Sequence, residues 1–114
     1  MIKNKEEITV KTELNDSGEI KLYLHDLADF KKRNPKLRMF SHAVLNVGEE
    51  VEFHIHNGES ESYYILSGKA LYNDNGELTE ITKGSVTFTA SGNGHGIKNI
   101  GKENLEFIAL IMLD

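Results

Sequence analysis

The chain has 114 residues, 27% of them charged, with a net charge of −5 and no cysteine. That length gives one domain with a single core, and the interspersed charges argue against a nucleic-acid partner or an anionic membrane surface. The lack of cysteine excludes disulfides and thiolate metal sites, and with neither an apolar leader nor a stretch long enough to cross a bilayer, a cytoplasmic protein is expected.

Residues 1–18 form a polar arm in which Ile8 and Val10 hint at a short strand before the turn Asn15-Asp16-Ser17-Gly18. Such an arm can fold back on its own barrel or add to a partner's sheet. Glu19 to Leu24 alternates, with Ile20, Leu22 and Leu24 on one face, and predicts a strand ending at His25, which reads as an exposed or capping residue. Asp26 to Lys32 has room for one or two helical turns with Asp26 as N-cap, before Asn34-Pro35 breaks it. Arg38 to Val47 is apolar on both faces, as in a buried strand. Arg38, Phe40, His42 and Val44 share one side, and Met39, Ser41, Ala43 and Leu45 the other. If the first set faces inward, Arg38 and His42 become candidates for supporting a site or binding a substrate; otherwise His42 faces outward or simply packs.

In Gly48 to Gly68, GEEVEFHIHNGESESYYILSG, the apolar residues Val51, Phe53 and Ile55 alternate with Glu52, His54 and His56. That is the period of a strand, and it places both imidazoles on one face. Asn57-Gly58-Glu59-Ser60 reads as a hairpin turn, so that a strand from Glu61 to Leu66 runs back beside the first and presents Glu61 to the same space. Two imidazoles and a carboxylate converging in this way suit a borderline divalent ion. If Glu61 points inward, so do Tyr63 and Ile65, which puts a phenol near the metal, either to donate a hydrogen bond to substrate or merely to fill the barrel.

Lys69 to Tyr72 predicts another strand, Asn73-Asp74-Asn75-Gly76 a hairpin turn, and Leu78 to Ile81 the returning strand. Val86 to Thr89 follows the turn at Lys83-Gly84, and the glycine-rich loop from Ala90 to Gly94 leads to His95, Ile97 and Asn99 on one face. Leu105 to Leu113 is almost continuously apolar, as in a central strand buried on both sides. Eight to ten short strands at regular spacing imply an all-β sandwich or barrel.

The pattern G-x5-HxH-x4-E-x6-G, filled by Gly48, His54, His56, Glu61 and Gly68, resembles the first conserved motif of the cupin superfamily. The second, G-x5-P-x-G-x2-H-x3-N, is resembled by Gly84, Gly92, His95 and Asn99, with Ala90 where the family has proline. That departure removes a stiffening worth about 0.4 to 1 kcal/mol through the unfolded chain. The resemblance implies a double-stranded β-helix, or jelly roll, as one domain: residues 1–37 give the arm and first strands, residues 38–114 the barrel. It further implies a divalent ion (iron, manganese, nickel or zinc) held by His54, His56, Glu61 and His95. Glu61, the one ligand able to leave the ion and take a proton, is then the candidate general base, with Tyr63 beside it.

With few cations to meet an anion, chiefly Arg38 and Lys98, the expected ligand is a small oxygenated molecule. Three readings stay open: a metal-dependent dioxygenase, isomerase or lyase; a metal-dependent binding or sensor module without catalysis; and a purely structural barrel. A homodimer is also implied by the resemblance, with Ile108, Leu110 and Met112 or their neighbours closing the core or the interface.

Overall fold

The computed structural model describes residues 1–30 and 32–114. A single 3-10 turn, Lys5–Glu7, precedes ten strands: β1 Thr9–Leu14, β2 Ile20–Asp26, β3 Leu37–Leu45, β4 Glu50–Ile55, β5 Glu59–Ser67, β6 Lys69–Asp74, β7 Glu77–Thr82, β8 Val86–Thr89, β9 Gly94–Asn99 and β10 Leu105–Leu113. They form two antiparallel sheets, the larger ordered β1-β2-β3-β10-β5-β8 and the smaller β4-β9-β6-β7. This is the expected jelly roll. No helix among the described residues is long and apolar enough to cross a membrane.

Period-2 alternation builds the core. On β10, Leu105, Phe107, Ala109 and Ile111 are buried, whereas Glu106, Ile108, Leu110 and Met112 are only half-buried. The expectation that β10 is buried on both sides therefore fails for the outer face, which no element among the described residues covers. Leu45 on β3, Ile65 on β5 and Ile97 on β9 meet Leu105 and Phe107 between the sheets. Each such side chain stabilises the fold by roughly 1.5–3 kcal/mol relative to exposure. Asn99, 1% exposed, is satisfied there: its amide donates to the carbonyls of Leu45 and Glu103 at 3.0 and 2.9 Å, and its Oδ1 accepts from Gly101 N at 3.0 Å.

The hairpin β6–β7 turns at Asn75-Gly76, whose φ angles of 51° and 103° suit the right-handed twist of the strands. Gly68, between β5 and β6, has φ 96°, and a Cβ there would lie 3.0 Å from Leu105 Cα and 3.1 Å from Asn104 O. Both conformation and space demand glycine at this motif position.

Other expectations need correction. The segment Asn57 to Ser60 is not a hairpin turn: β4 belongs to the smaller sheet and β5 to the larger, so the chain crosses between them and Glu61 faces the histidines across the interior. No helix forms after β2 among the described residues; Asp26 Oδ1 instead accepts from Ala28 N at 3.0 Å in a tight turn, while Lys31 lies outside the described residues. Strict alternation along β4 is broken by a register shift between Val51 and His54. The arm folds back on its own barrel, β1 pairing with β2 from Thr9 opposite Asp26 to Leu14 opposite Ile20.

Candidate metal centre

The crossover between sheets brings the two halves of the site together. His54 on β4, His56 just beyond it, Glu61 on β5 and His95 on β9 place one donor atom each within 4.8 Å of one another. His56 Nε2 lies 3.1 Å from both His54 Nε2 and His95 Nε2. Glu61 Oε1 is 2.9 Å from His56 Nε2, 2.7 Å from His95 Nε2 and 4.0 Å from His54 Nε2. His95 is fully buried, Glu61 and His56 nearly so, and His54 partly exposed.

The opposite ring nitrogens explain why Nε2 faces the centre. His54 Nδ1 donates to the Glu52 carbonyl at 2.7 Å, and His56 Nδ1 to Glu59 Oε2 at 2.6 Å. His95 Nδ1 is 2.8 Å from Tyr72 Oη, which is itself 3.1 Å from Thr89 Oγ1. With the proton of His54 and of His56 assigned to Nδ1 by these acceptors, both Nε2 atoms turn lone pairs toward each other and toward the Glu61 carboxylate. That arrangement is repulsive until a cation or proton occupies the centre. The donor set therefore fits a divalent metal: imidazoles with their second nitrogens already held are oriented as ligands, and three nitrogens with one carboxylate oxygen suit iron, nickel, zinc or manganese.

The loop carrying the second half of the motif is fixed without the family's proline. Ala90 O accepts from Asn93 N at 3.1 Å, Gly92 N donates to His56 O at 2.7 Å, and His56 N donates to Asn93 O at 3.0 Å. His56 is thus held by its backbone as well as its ring.

The cluster opens into a cavity of about 240 Å³, walled by apolar residues including Leu22, Met39, Val51 and Phe107 and carrying Glu13, Arg38 and Tyr63. Tyr63 is 4% exposed and its ring stacks on His95, with centroids 4.8 Å apart. Burial first, then the neighbouring Glu61 carboxylate, pushes its phenol well above the ordinary tyrosine range; burial likewise raises Tyr72. Both therefore stay protonated and can donate.

Not every candidate arrives. His42 lies on the outer face, 2.8 Å from Glu106 Oε1, with His25 stacked on it at 5.2 Å. Lys98 is exposed, on the opposite side of β9 from His95. Arg38, by parity on the outer face of β3, nonetheless reaches the cavity and bonds both oxygens of Glu59 at 2.6 Å. Sequence reasoning missed Glu13, Glu59, Tyr72 and Thr89. Glu59 sits two residues before Glu61 and Tyr72 two after the apolar Ala70, so strand parity carries a signal for both once the strand limits are known.

The model of the cupin domain family matches residues 41–111. The chain belongs to that family. This cupin is 46% identical over 78 residues to the oxalate-binding protein of Thermotoga maritima, a match covering 68% of this chain and 64% of the relative. It is 33% identical over 66 residues to an uncharacterized Methanocaldococcus jannaschii protein, covering 58% of this chain and 53% of that one. The matched segment thus spans less than two thirds of either relative. Among solved structures, a Thermotoga maritima protein described as a predicted oxalate decarboxylase superposes with TM-score 0.89 at 37% identity, with full coverage of both chains. Iron(II) HppE superposes with TM-score 0.83 at 15% identity, covering 98% of this cupin and 60% of that chain, a likeness of fold alone.

Proposed function

We propose that this cupin holds a divalent metal through His54, His56, Glu61 and His95 and, through that metal, binds a small bidentate oxygen ligand of the carboxylate class. The observation that carries the proposal is the convergence of three Nε2 atoms and Glu61 Oε1 at the head of a 240 Å³ cavity. Four donors leave two positions of a six-coordinate ion free, which suits a chelating ligand. The volume is below the usual range of about 300–1,000 Å³ for ligand pockets, so the ligand has few heavy atoms. The name of the oxalate-binding relative makes oxalate the first ligand to test.

When bound, the metal supplies Lewis-acid polarisation of the ligand's oxygens. Around it stands an apolar wall, Tyr63 presents a phenol, and Arg38 is a cation at the cavity. Catalysis is the second reading, favoured by one observation: Glu61 and the protonated Tyr63 border the same cavity, as a proton acceptor and donor would.

The test is metal analysis of protein purified without chelator, followed by calorimetric titration of oxalate into metal-loaded and chelator-treated samples. Saturable binding that vanishes with chelator is expected; oxalate binding that persists without metal, or no metal uptake at all, defeats the proposal. Turnover of a bound carboxylate would promote the second reading over the first.

We further propose a homodimer through the outer face of the larger sheet. Phe40, Tyr64, Val86 and Phe88 are 36%, 49%, 72% and 65% exposed there, beside the half-buried Ile108, Leu110 and Met112. A second copy of the same face covers such a patch by two-fold symmetry. Sedimentation giving a monomer at micromolar concentration would defeat it.

A further inference from the structure

We propose that Glu59 is the positioning residue of the metal centre, aimed at His56 by Arg38, in an Arg38-Glu59-His56 chain that fixes one ligand from outside the ligand set. The inference rests on the metal-binding reading above.

Glu59 is 8% exposed, and its carboxylate has three close contacts: Arg38 Nη1 at 2.6 Å from each oxygen, and His56 Nδ1 at 2.6 Å from Oε2. It lies on the Nδ1 side of His56, away from the Nε2 cluster, and so supports a ligand without being one. A buried carboxylate without a partner would be costly. The guanidinium compensates it while keeping its own side chain 54% exposed, so the positive charge remains in contact with water. The carboxylate then serves His56 in two ways. It holds the proton on Nδ1, leaving the Nε2 lone pair for metal, and it raises the donor strength of that nitrogen.

Of the three histidine supports, this is the one made by a charge. His54 leans on a backbone carbonyl and His95 on a phenol. The support is also indirect in the fold. Arg38 is on β3 and Glu59 on β5, strands separated by β10 in the larger sheet, so the bridge reaches over an intervening strand. A bridge that only tied these strands together would leave metal affinity untouched when broken; a positioning bridge would not.

Co(II) is the probe, read by its visible absorption and by its dissociation constant in direct titration. In Glu59→Gln the Co(II) dissociation constant is expected to rise about 10- to 100-fold, the range for lost support of a metal-bound histidine, and the absorption bands to shift. Arg38→Met should move both in the same direction by less, and the double variant should be no weaker than Glu59→Gln alone, because the two residues act in series. Unchanged affinity and spectrum in Glu59→Gln overturn the inference while leaving the metal reading intact. If Glu59→Gln does not fold, Arg38→Met decides: affinity and spectrum like the wild type's overturn it. Wild-type protein that takes up no Co(II) overturns the metal reading, and this inference with it.

Discussion

Val51 and His54 both face the cavity although they lie three residues apart on one strand. The β4–β9 ladder shows how: Val51 pairs with Ile97 and His54 with His95, so β4 carries one more residue than β9 over that interval. The bulge reverses the parity of β4. Without it, the side that seals the core at Val51 would turn His54 outward, and Phe53 and Ile55, now 46% and 57% exposed, would face in.

Gly96 makes room for this bulge. A Cβ there would lie 2.9 Å from Phe53 N and 3.1 Å from both Phe53 Cα and Val51 O, all backbone atoms that cannot turn aside. Gly96→Ala is therefore expected to destabilise the protein by about 1–3 kcal/mol through overpacking, and to weaken metal binding by separating His54 from His95. Thermal unfolding of metal-free protein and Co(II) titration check the two effects; an unshifted melting temperature would mean that the strands part freely.

Tyr72 supports His95 from the side opposite the metal. Tyr72→Phe keeps the ring that packs in the core but removes the oxygen shared by His95 Nδ1 and Thr89 Oγ1. Leaving buried polar atoms unpaired costs about 1–3 kcal/mol, and the loss of orientation should weaken metal binding about tenfold or more. The phenylalanine variant should melt lower and bind Co(II) less tightly; retained affinity would show that packing alone orients His95.

Metal binding should be visible as stability. A ligand that binds only the folded chain at 100 times its dissociation constant stabilises it by about 2.7 kcal/mol. Adding chelator should lower the melting temperature correspondingly, and Glu61→Gln should abolish most of that difference. Equal melting temperatures with and without metal at neutral pH would refute this.

Strand periodicity and two spaced motifs made much of this legible before any coordinates. The inward set Glu61, Tyr63 and Ile65 follows from alternation alone, and Asn75-Gly76 marks its hairpin by composition. What alternation could not reveal was which strands pair. A polar turn after His56 looks the same whether the chain returns along its own ladder or crosses to another sheet, because local chemistry does not encode the distant partner. The bulge was hidden for a related reason, since its cause is the closeness of Gly96, remote in sequence. Arg38 was a candidate only on the condition that its face of β3 turned inward, and Glu59 was not one at all, because their roles depend on a contact across β10.

Glu13 is expected to give the cavity a selectivity that the metal ligands do not. It comes from β1, outside the residues that the family model matches, and lines the cavity with Arg38. Arg38 is already paired with Glu59, while among the described residues Glu13 forms no salt bridge. An arriving anion thus meets one uncompensated negative charge, and a dianion is opposed about twice as strongly as a monoanion. Glu13→Gln should therefore strengthen oxalate binding to metal-loaded protein on the order of fivefold and glycolate binding by less, with the difference shrinking at high salt. Competition titrations of the two acids at low and high ionic strength measure this; an oxalate-to-glycolate ratio that the substitution leaves unchanged would remove Glu13 from any part in choosing the ligand.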